Sequence, residues 1–263
     1  MQPTLQDLID LVCGAGAALR DGLGGDHAVA YKGDYDIVTE VDQRAEALVV
    51  AGIRRRFAGD AILTEEGGLL PGLDGRIWYL DPLDGTVNYA RGLAQACVAL
   101  AYAEGGVVRL GVVYDPFREE WFTAERGAGA WLNGALLHCT QTRTLADSLV
   151  CTGFPHNDAP ALEDALKIFP HFARGTRGLR RLGSAALDLC YVACGRLDLH
   201  WEVRLQPWDA AAAGLIAEEA GARVTRLTGG HDYLRQPVSI LAGNPSLHAE
   251  ALAVICQALD GRD

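Results

Sequence analysis

The sequence predicts a mixed architecture, α+β in its first half and α/β in its second. Three observations carry that reading. Two stripes of apolar residues at helical spacing open the chain. Short apolar runs of strand length, separated by turn residues, follow as far as Leu137. Beyond that point strand-like and helix-like segments alternate, the pattern of an α/β layer arrangement. A polar stretch, Thr140–Asp147, separates the two patterns and sets a soft boundary between residues 1–142 and residues 143–263.

In the first half, Leu5, Leu8, Ile9, Val12 and Leu19 form one helical stripe, with Thr4 as its N-cap. Ala45, Leu48, Val49, Ile53 and Phe57 form the second. Arg54, Arg55 and Arg56 fall near the end of that helix, where cations suit the dipole. That reading is preferred to a nucleic-acid patch. Ala61–Thr64 and Ile77–Leu80 have the continuous apolar character of buried strands. Val107–Tyr114 and Glu120–Ala124 read as a strand pair around Asp115-Pro116. Ala130–Leu137 reads as a hairpin that turns at Asn133-Gly134. In the second half, strands are expected at Leu149–Thr152, Leu197–Trp201, Ala222–Thr225 and Ser239–Ala242. Helices are expected at Ala161–Phe172, Ala185–Cys194, Trp208–Ala220 and Leu247–Leu259, with Gly221 ending the third of these.

The chain has 263 residues, 49% of them apolar, enough to bury a sizeable core and to exclude wholesale disorder. Its formal charge of −11 argues against non-specific binding to nucleic acid or to an anionic membrane. An anionic substrate remains compatible, because a bound cation reverses the local sign. The longest apolar run, Ala96–Ala103, is far short of the roughly 20 residues a bilayer requires. The opening MQPTLQDLID has no basic region ahead of an apolar run, so no secretory signal is expected. Seven cysteines are dispersed with no CxxC pair, as in a cytoplasmic protein with reduced thiols. Cys190 and Cys194 share a helical spacing and are read as small core residues rather than a metal pair.

Several catalytic signatures are absent. There is no GxxxxGK[ST], no HExxH and no GxSxG. Gly14-Ala-Gly16 and Gly127-Ala-Gly129 lack the third glycine of a dinucleotide fingerprint. The histidines are dispersed, which argues against a His-rich zinc site. The chemistry therefore rests on carboxylates. In Ile77-Trp-Tyr-Leu-Asp81-Pro-Leu-Asp84-Gly-Thr86 an apolar strand runs into Asp81, and Pro82 is expected to end it. Gly85 and Thr86 then permit a tight turn into a helix start. Two carboxylates three residues apart are thus held on a bend, and the backbone N–H groups after it favour a phosphate. An Asx-turn leading to a capped helix explains the same residues without chemistry. Yet Glu65 follows the strand-like run Ala61–Thr64, and Asp209 opens a small-residue helix after Pro207-Trp208. These are the strand ends and helix starts where α/β proteins place ligands. If Glu65, Asp81, Asp84 and Asp209 converge, their mutual repulsion requires a cation. An all-oxygen site favours Mg²⁺, with Mn²⁺ possible, over Zn²⁺.

These residues lie in ordered motifs: Lys32 with Asp36-Ile-Val-Thr39-Glu-Val-Asp42; Thr64-Glu65-Glu66-Gly67; Asp81-Pro-Leu-Asp84-Gly-Thr86-Val-Asn88-Tyr; Gly129-Ala-Trp-Leu-Asn133-Gly; Thr152-Gly-Phe-Pro155; Arg181-Leu-Gly183-Ser-Ala-Ala186; and Pro207-Trp-Asp209-Ala-Ala. In this order and spacing the chain, from about Lys32 to beyond Gly243, resembles the inositol monophosphatase family. The resemblance implies a layered α-β-α-β-α sandwich of the sugar phosphatase type, usually a homodimer. It implies a Mg²⁺-dependent, lithium-sensitive phosphomonoesterase with two or three metal ions per site. The metal ligands it implies are Glu65, Asp81, the Leu83 carbonyl, Asp84 and Asp209. Thr86 and Asp42 match the positions that support a nucleophilic water, and Lys32 matches the motif lysine. Asp84, Gly85, Thr86, Gly183, Ser184, Ala185, Glu202 and Asp209 match substrate-side positions.

The implied reaction is hydrolysis of inositol monophosphate by in-line attack of a metal-activated water, with no phospho-enzyme. The alternative is histidinol-phosphate phosphatase, because carboxylates such as Glu202 accept an ammonium as readily as a ring hydroxyl. The substrate is thus a small phosphorylated polyol or amino-alcohol. Fructose-1,6-bisphosphatase and 3′-phosphoadenosine phosphatase activities would want a second basic cluster. Arg174, Arg177, Arg180 and Arg181 either supply one or decorate a helix end and its loop. A non-catalytic regulatory scaffold is the reading from another class, and a degenerate metal site would mark it; none is seen. The chain departs from the family at Ala94, Ala96 and Ala99, where a Pro, an aromatic residue and a Ser are usual, and at Arg204, where Gly is common.

Overall fold

The structure is a computed structural model, and it describes residues 2–25, 29–31 and 37–260. Helix α1 (Leu5–Gly22) starts at Thr4 through a reciprocal capping box: the Asp7 N–H donates to Thr4 Oγ1 and the Thr4 N–H donates to Asp7 Oδ2 at 2.9 Å. Strands β1 (Val29–Tyr31) and β2 (Ile37–Thr39) form an antiparallel ribbon. The chain turns from it into α2 (Glu40–Arg56), capped by Thr39 and Asp42.

A sheet of eight strands follows, ordered β10-β9-β8-β7-β6-β5-β3-β4. Its members are β3 (Asp60–Thr64), β4 (Gly68–Leu70), β5 (Leu73–Asp84), β6 (Cys97–Glu104), β7 (Val107–Asp115), β8 (Glu120–Glu125), β9 (Gly129–Leu132) and β10 (Ala135–Leu136). Only the β3–β5 pair is parallel. The short helix α3 (Thr86–Ala90) leaves the end of β5. Asn133 and Gly134 both take positive φ, +49° and +81°, as the expected hairpin turn demands.

The second sheet has five strands, ordered β12-β11-β13-β15-β14. Along the chain run β11 (Leu149–Thr152), α4 (Ala159–Gly175), β12 (Gly178–Arg180), α5 (Ala185–Ala193), β13 (Leu199–Leu205), α6 (Pro207–Glu219), β14 (Arg223–Thr225), β15 (Val238–Gly243) and α7 (Pro245–Asp260). β11 is parallel to β12 and β13, and the remaining pairs are antiparallel.

Three apolar cores define five layers. Leu8, Val12 and Leu19 of α1 and Val49 and Ile53 of α2 pack on Trp78, Leu80, Leu100 and Tyr102 of the large sheet. Its other face, with Ala99, Ala101 and Phe122, packs on α5 and α6, which also meet Ile240 and Ala242 of the small sheet. On the far side Trp201 and Leu241 pack against Ile168 and Phe172 of α4 and Ala251 and Ile255 of α7. The order is α-β-α-β-α. The run Ala96–Ala103 is buried because it forms β6, a strand covered on both faces. Gly111 on neighbouring β7 lets α6 approach closely: a Cβ there would fall 2.9 Å from the Ala212 carbonyl oxygen.

Two expectations need correction. Pro82 does not end its strand. Asp81 pairs with Ala99 and Asp84 with Cys97, so Pro82 and Leu83 bulge opposite Val98 and β5 resumes at Asp84. A bulge leaves a residue unpaired, and a proline costs no ladder hydrogen bond there. The strand expected at Leu197–Trp201 lies at Leu199–Leu205. The Leu197 N–H closes a turn onto the Tyr191 carbonyl, and the shifted strand carries Glu202 in its interior.

Candidate active site

One cavity of about 270 Å³ opens where the end of β5 meets the start of α5 and α6. Glu65, Asp81, Leu83, Asp84, Gly85, Thr86, Gly183, Ser184, Ala185, Glu202 and Asp209 all line it. Every substrate-side and metal-ligand position singled out in the sequence is among them. Asp42 lies behind, fully buried, and reaches the cavity through Thr86. Lys32 and Asp36 lie outside the described residues.

The local folding explains each placement. The bulge turns the chain so that the Leu83 N–H donates to Asp81 Oδ1 at 3.0 Å. Gly85 has φ +96°, and a Cβ there would sit 2.7 Å from the Gln95 carbonyl oxygen, so only glycine allows α3 to start at Thr86. Thr86 Oγ1 lies 3.0 Å from Asp42 Oδ1 and 2.9 Å from the Leu83 carbonyl oxygen. The other Asp42 oxygen accepts from the Thr39 N–H and from Thr39 Oγ1, so one carboxylate both caps α2 and anchors Thr86. Glu65 follows β3, held by its N–H to the Leu80 carbonyl, and Glu46 of α2 accepts from the Glu66 N–H. From the second half, Ser184 caps α5, and Asp209 closes the first turn of α6 by accepting from the Gln206 N–H at 2.7 Å. Asp84 Oδ2 accepts from Ser184 Oγ at 2.6 Å and from the Ala186 N–H at 2.8 Å.

Electrostatics sets the chemistry. Burial pushes the Asp81 carboxyl well above the usual carboxylate range, and Glu65, Asp84 and Asp209 push it further. Asp209 is raised well above that range by burial and by Asp84. Asp84 is raised by burial, an effect opposed by its hydrogen bonds from Ser184 and Ala186. The Glu65 and Asp81 carboxyls are within hydrogen-bonding contact, which two bare carboxylates tolerate only around a shared proton or a cation. The available donors are carboxylate and carbonyl oxygens, a set that fits a hard divalent ion of the Mg²⁺ type.

Sequence reasoning gave no role to Asn88, Gly153 or Phe154, although each stood in a quoted motif. Asn88 Nδ2 donates to the Leu182 carbonyl at 2.8 Å and so fixes the loop before Gly183. Gly183 has φ +87°, and a Cβ there would sit 2.6 Å from Arg181 and 2.9 Å from Asn88. Of the four arginines in question, Arg181 alone lines the cavity; Arg177 pairs with Asp147 at 2.6 Å, and Arg180 donates to the Leu179 carbonyl. A side chain at Gly153 would collide with the Glu202 carboxyl, so Gly153 leaves room for Glu202 to face the cavity. Arg204 pairs with Asp158 at 2.7 Å and lines a neighbouring cleft that shares Glu65 and Asp209.

Sequence and structure comparisons find relatives that cover nearly the whole chain. A sequence profile described as the inositol monophosphatase family matches residues 1–260. Nus factor SuhB of Escherichia coli K12 is 43% identical over 223 residues, 84% of this chain and 83% of its own. The structure of a Thermotoga maritima IMPase superposes with a TM-score of 0.89 at 34% identity, covering 98% of each chain. The crystal structure of inositol monophosphate-bound SaIMPase-II superposes with a TM-score of 0.81 at 26% identity, covering 97% of this chain and 95% of that one.

Proposed function

The chain belongs to the inositol monophosphatase family, a family of phosphoric monoester hydrolases, and from that premise we propose that it hydrolyses inositol monophosphate to inositol and inorganic phosphate in a Mg²⁺-dependent reaction. The observation that carries the reading is the gathering of Glu65, Asp81, Asp84 and Asp209 around one cavity, which Glu202 also lines. Glu65, Asp81, the Leu83 carbonyl, Asp84 and Asp209 would hold the metal ions. When bound, they supply a lowered pKa for a coordinated water and positive charge for the phosphate.

The chain's own residues do the rest. Asp42, fixed by Thr39, accepts the Thr86 hydroxyl hydrogen, which leaves a Thr86 lone pair to accept from a water and orient it toward phosphorus. Gly85 and Thr86, where α3 starts, line the cavity, and their backbone N–H groups would serve the phosphate. Among the described residues no side chain is placed for a covalent intermediate. The Ser184 hydroxyl is committed to Asp84, and burial pushes the Cys97 thiol well up. Water therefore attacks directly, the bond from phosphorus to the alcohol oxygen breaks, and the proton released ends on the alcohol. Glu202 and the backbone of Gly183–Ala185 contact the polyol ring. Residues 1–142 supply most of the metal ligands, and residues 143–263 supply Asp209 and the substrate wall.

The expected substrate is a small phosphorylated polyol or amino-alcohol, the expected setting is the cytoplasm, and the expected assembly is a homodimer. No helix among the described residues is long and apolar enough to cross a membrane. The acidic lining also suits an ammonium group, which keeps histidinol phosphate as the second reading. The name Nus factor carried by the SuhB relatives suggests a further role as a factor. The complete carboxylate set favours catalysis over that role alone.

A panel of inositol phosphates, histidinol phosphate, fructose bisphosphate and 3′-phosphoadenosine phosphate, assayed with Mg²⁺, tests the proposal. Inositol monophosphate should rank first, with millimolar lithium inhibiting. Inactivity on every ester rejects a phosphatase, and a first rank for histidinol phosphate moves the assignment to the second reading.

A further inference from the structure

Behind the substrate wall lies a second group of metal-competent side chains. Cys151 of β11 and His200 of β13 are paired neighbours in the small sheet, so both project from the same face. That face meets α5, which contributes Asp188. All three are buried, with 0%, 0% and 1% exposure. Cys151 Sγ lies 3.1 Å from Asp188 Oδ2, and His200 Nδ1 lies 4.0 Å from the same oxygen. One donor atom from each residue falls within 4.8 Å of the other two.

Hydrogen bonding within the chain does not account for this group. Asp188 Oδ1 and both ring nitrogens of His200 are buried without a hydrogen-bond partner among the described residues. An unsatisfied buried polar group costs about 1–3 kcal/mol, and three in one spot call for a partner. Burial pushes His200 down to about 3 and Asp188 up to about 8. The imidazole is therefore neutral, as a metal ligand must be.

We propose that Cys151, Asp188 and His200 form a site for a thiophilic divalent cation of the Zn²⁺ class, separate from the oxygen-lined site in front of it. With bonds of about 2.0–2.3 Å, ligands around tetrahedral zinc stand roughly 3.3–3.8 Å apart. The observed separations of 3.1 and 4.0 Å bracket that range. His200 Nδ1, Asp188 Oδ2 and the Cys151 thiolate supply three donors, and a water in the fourth position donates to the orphaned Asp188 Oδ1. Glu202 Oε1 stands 3.6 Å from the opposite ring nitrogen, Nε2. At that distance the carboxyl is beyond hydrogen-bond reach, beside the ring nitrogen that faces away from the ion. The thiol proton leaves on binding, and the ion's charge replaces it. Thiolate, imidazole and carboxylate together select zinc over magnesium. The ion ties β11, α5 and β13 together directly behind Glu202.

The test reads metal rather than turnover, so its outcome is independent of the phosphatase proposal. The full chain, incubated with Zn²⁺ and dialysed into Mg²⁺ buffer, should retain one zinc per chain by elemental analysis. The Co²⁺-loaded protein should show a thiolate-to-cobalt charge-transfer band and tetrahedral d–d bands. Cys151→Ser should lower retention at least about tenfold and abolish the charge-transfer band, whereas Glu65→Gln should leave both unchanged. A wild-type chain that retains no stoichiometric zinc, or a cobalt spectrum without sulfur charge transfer, overturns the proposal even if the Cys151 variant fails to fold.

Discussion

Asp84 and Ser184 are joined by a 2.6 Å hydrogen bond although 100 residues of sequence separate them. The bond fastens the strand that carries Asp81 and Asp84 to the helix that opens the substrate wall. With the Ala186 N–H at 2.8 Å it aims one Asp84 oxygen and leaves the other for a cation. Ser184→Ala should keep the fold, at a cost of about 1–2 kcal/mol for a charge-assisted bond whose acceptor retains a second donor. It should raise the Mg²⁺ concentration for half-maximal activity roughly tenfold, as loss of a partner behind a metal ligand does. A Mg²⁺ titration of the phosphatase rate checks this. An unchanged midpoint removes Ser184 from the positioning of Asp84.

Asp81→Asn separates charge from shape. Asp81 is 2% exposed and faces Glu65, Asp84 and Asp209, so the wild-type cluster is repulsive until a cation enters. Without divalent ions the variant should melt higher than the wild type, by roughly 2–4 °C for each 1 kcal/mol of repulsion relieved. Adding Mg²⁺ should stabilise the wild type and do little for the variant. Turnover should fall at least about 100-fold. Near-normal activity, or equal stabilisation of both proteins by Mg²⁺, rejects Asp81 as a ligand.

Much of this was legible in the sequence because local chemistry and global fold agree there. Thr4 and Thr39 cap the helices their spacing predicts, Asn133-Gly134 turns the expected hairpin, and the acidic residues stand at strand ends and helix starts. The misreadings have physical causes. Proline rules apply to paired strand positions, and the bulge at Pro82 and Leu83 is set by the neighbouring β6, which no local pattern announces. The same strand, covered on both faces, is a continuous apolar run that periodicity alone does not divide between strand and buried helix. The ribbon of β1 and β2 and the edge strands β4 and β12 are three residues each, too short for a period. Asn88 and Gly153 act on backbone and side chains far along the chain, at the Leu182 carbonyl and Glu202, and those contacts exist only once the two sheets are in place.

Glu202→Gln addresses substrate choice. The side chain lines the cavity beside Gly153, and its proposed contact is with the alcohol moiety rather than the phosphate. Loss of one hydrogen bond to a ring hydroxyl should lower kcat/KM for inositol monophosphate roughly tenfold. For an aryl phosphate, which offers no such hydroxyl, the change should stay within about threefold. Equal losses on both esters would mean that Glu202 serves the fold or the reaction itself. A rise in relative activity toward histidinol phosphate would contradict its assignment as an ammonium acceptor.

His248 couples stability to pH away from the cavity. It sits in the first turn of α7, fully buried, with Nε2 2.8 Å from Thr225 Oγ1 and Nδ1 unpartnered among the described residues. Burial, with Arg223 and His231 acting in the same direction, pushes it down to about 4. Near neutral pH the ring is uncharged in both folded and unfolded chains and contributes no pH dependence. As the pH falls below about 6.5 the unfolded chain takes up a proton that the folded chain refuses until about pH 4, so stability drops across that window. Arg223 is exposed and its share is screened, which leaves a loss of about 1 kcal/mol near pH 5 from this residue. His200, pushed down to about 3, adds a loss of the same sign, whereas Asp188, pushed up to about 8, adds the opposite one. The absolute slope therefore does not isolate His248, but the comparison with His248→Gln does, because glutamine keeps a partner for Thr225 and cannot titrate. Urea unfolding near pH 7 and near pH 5 should show the wild type losing about 1 kcal/mol more than the variant. Equal losses would place the ring in water or in its charged form in the folded protein.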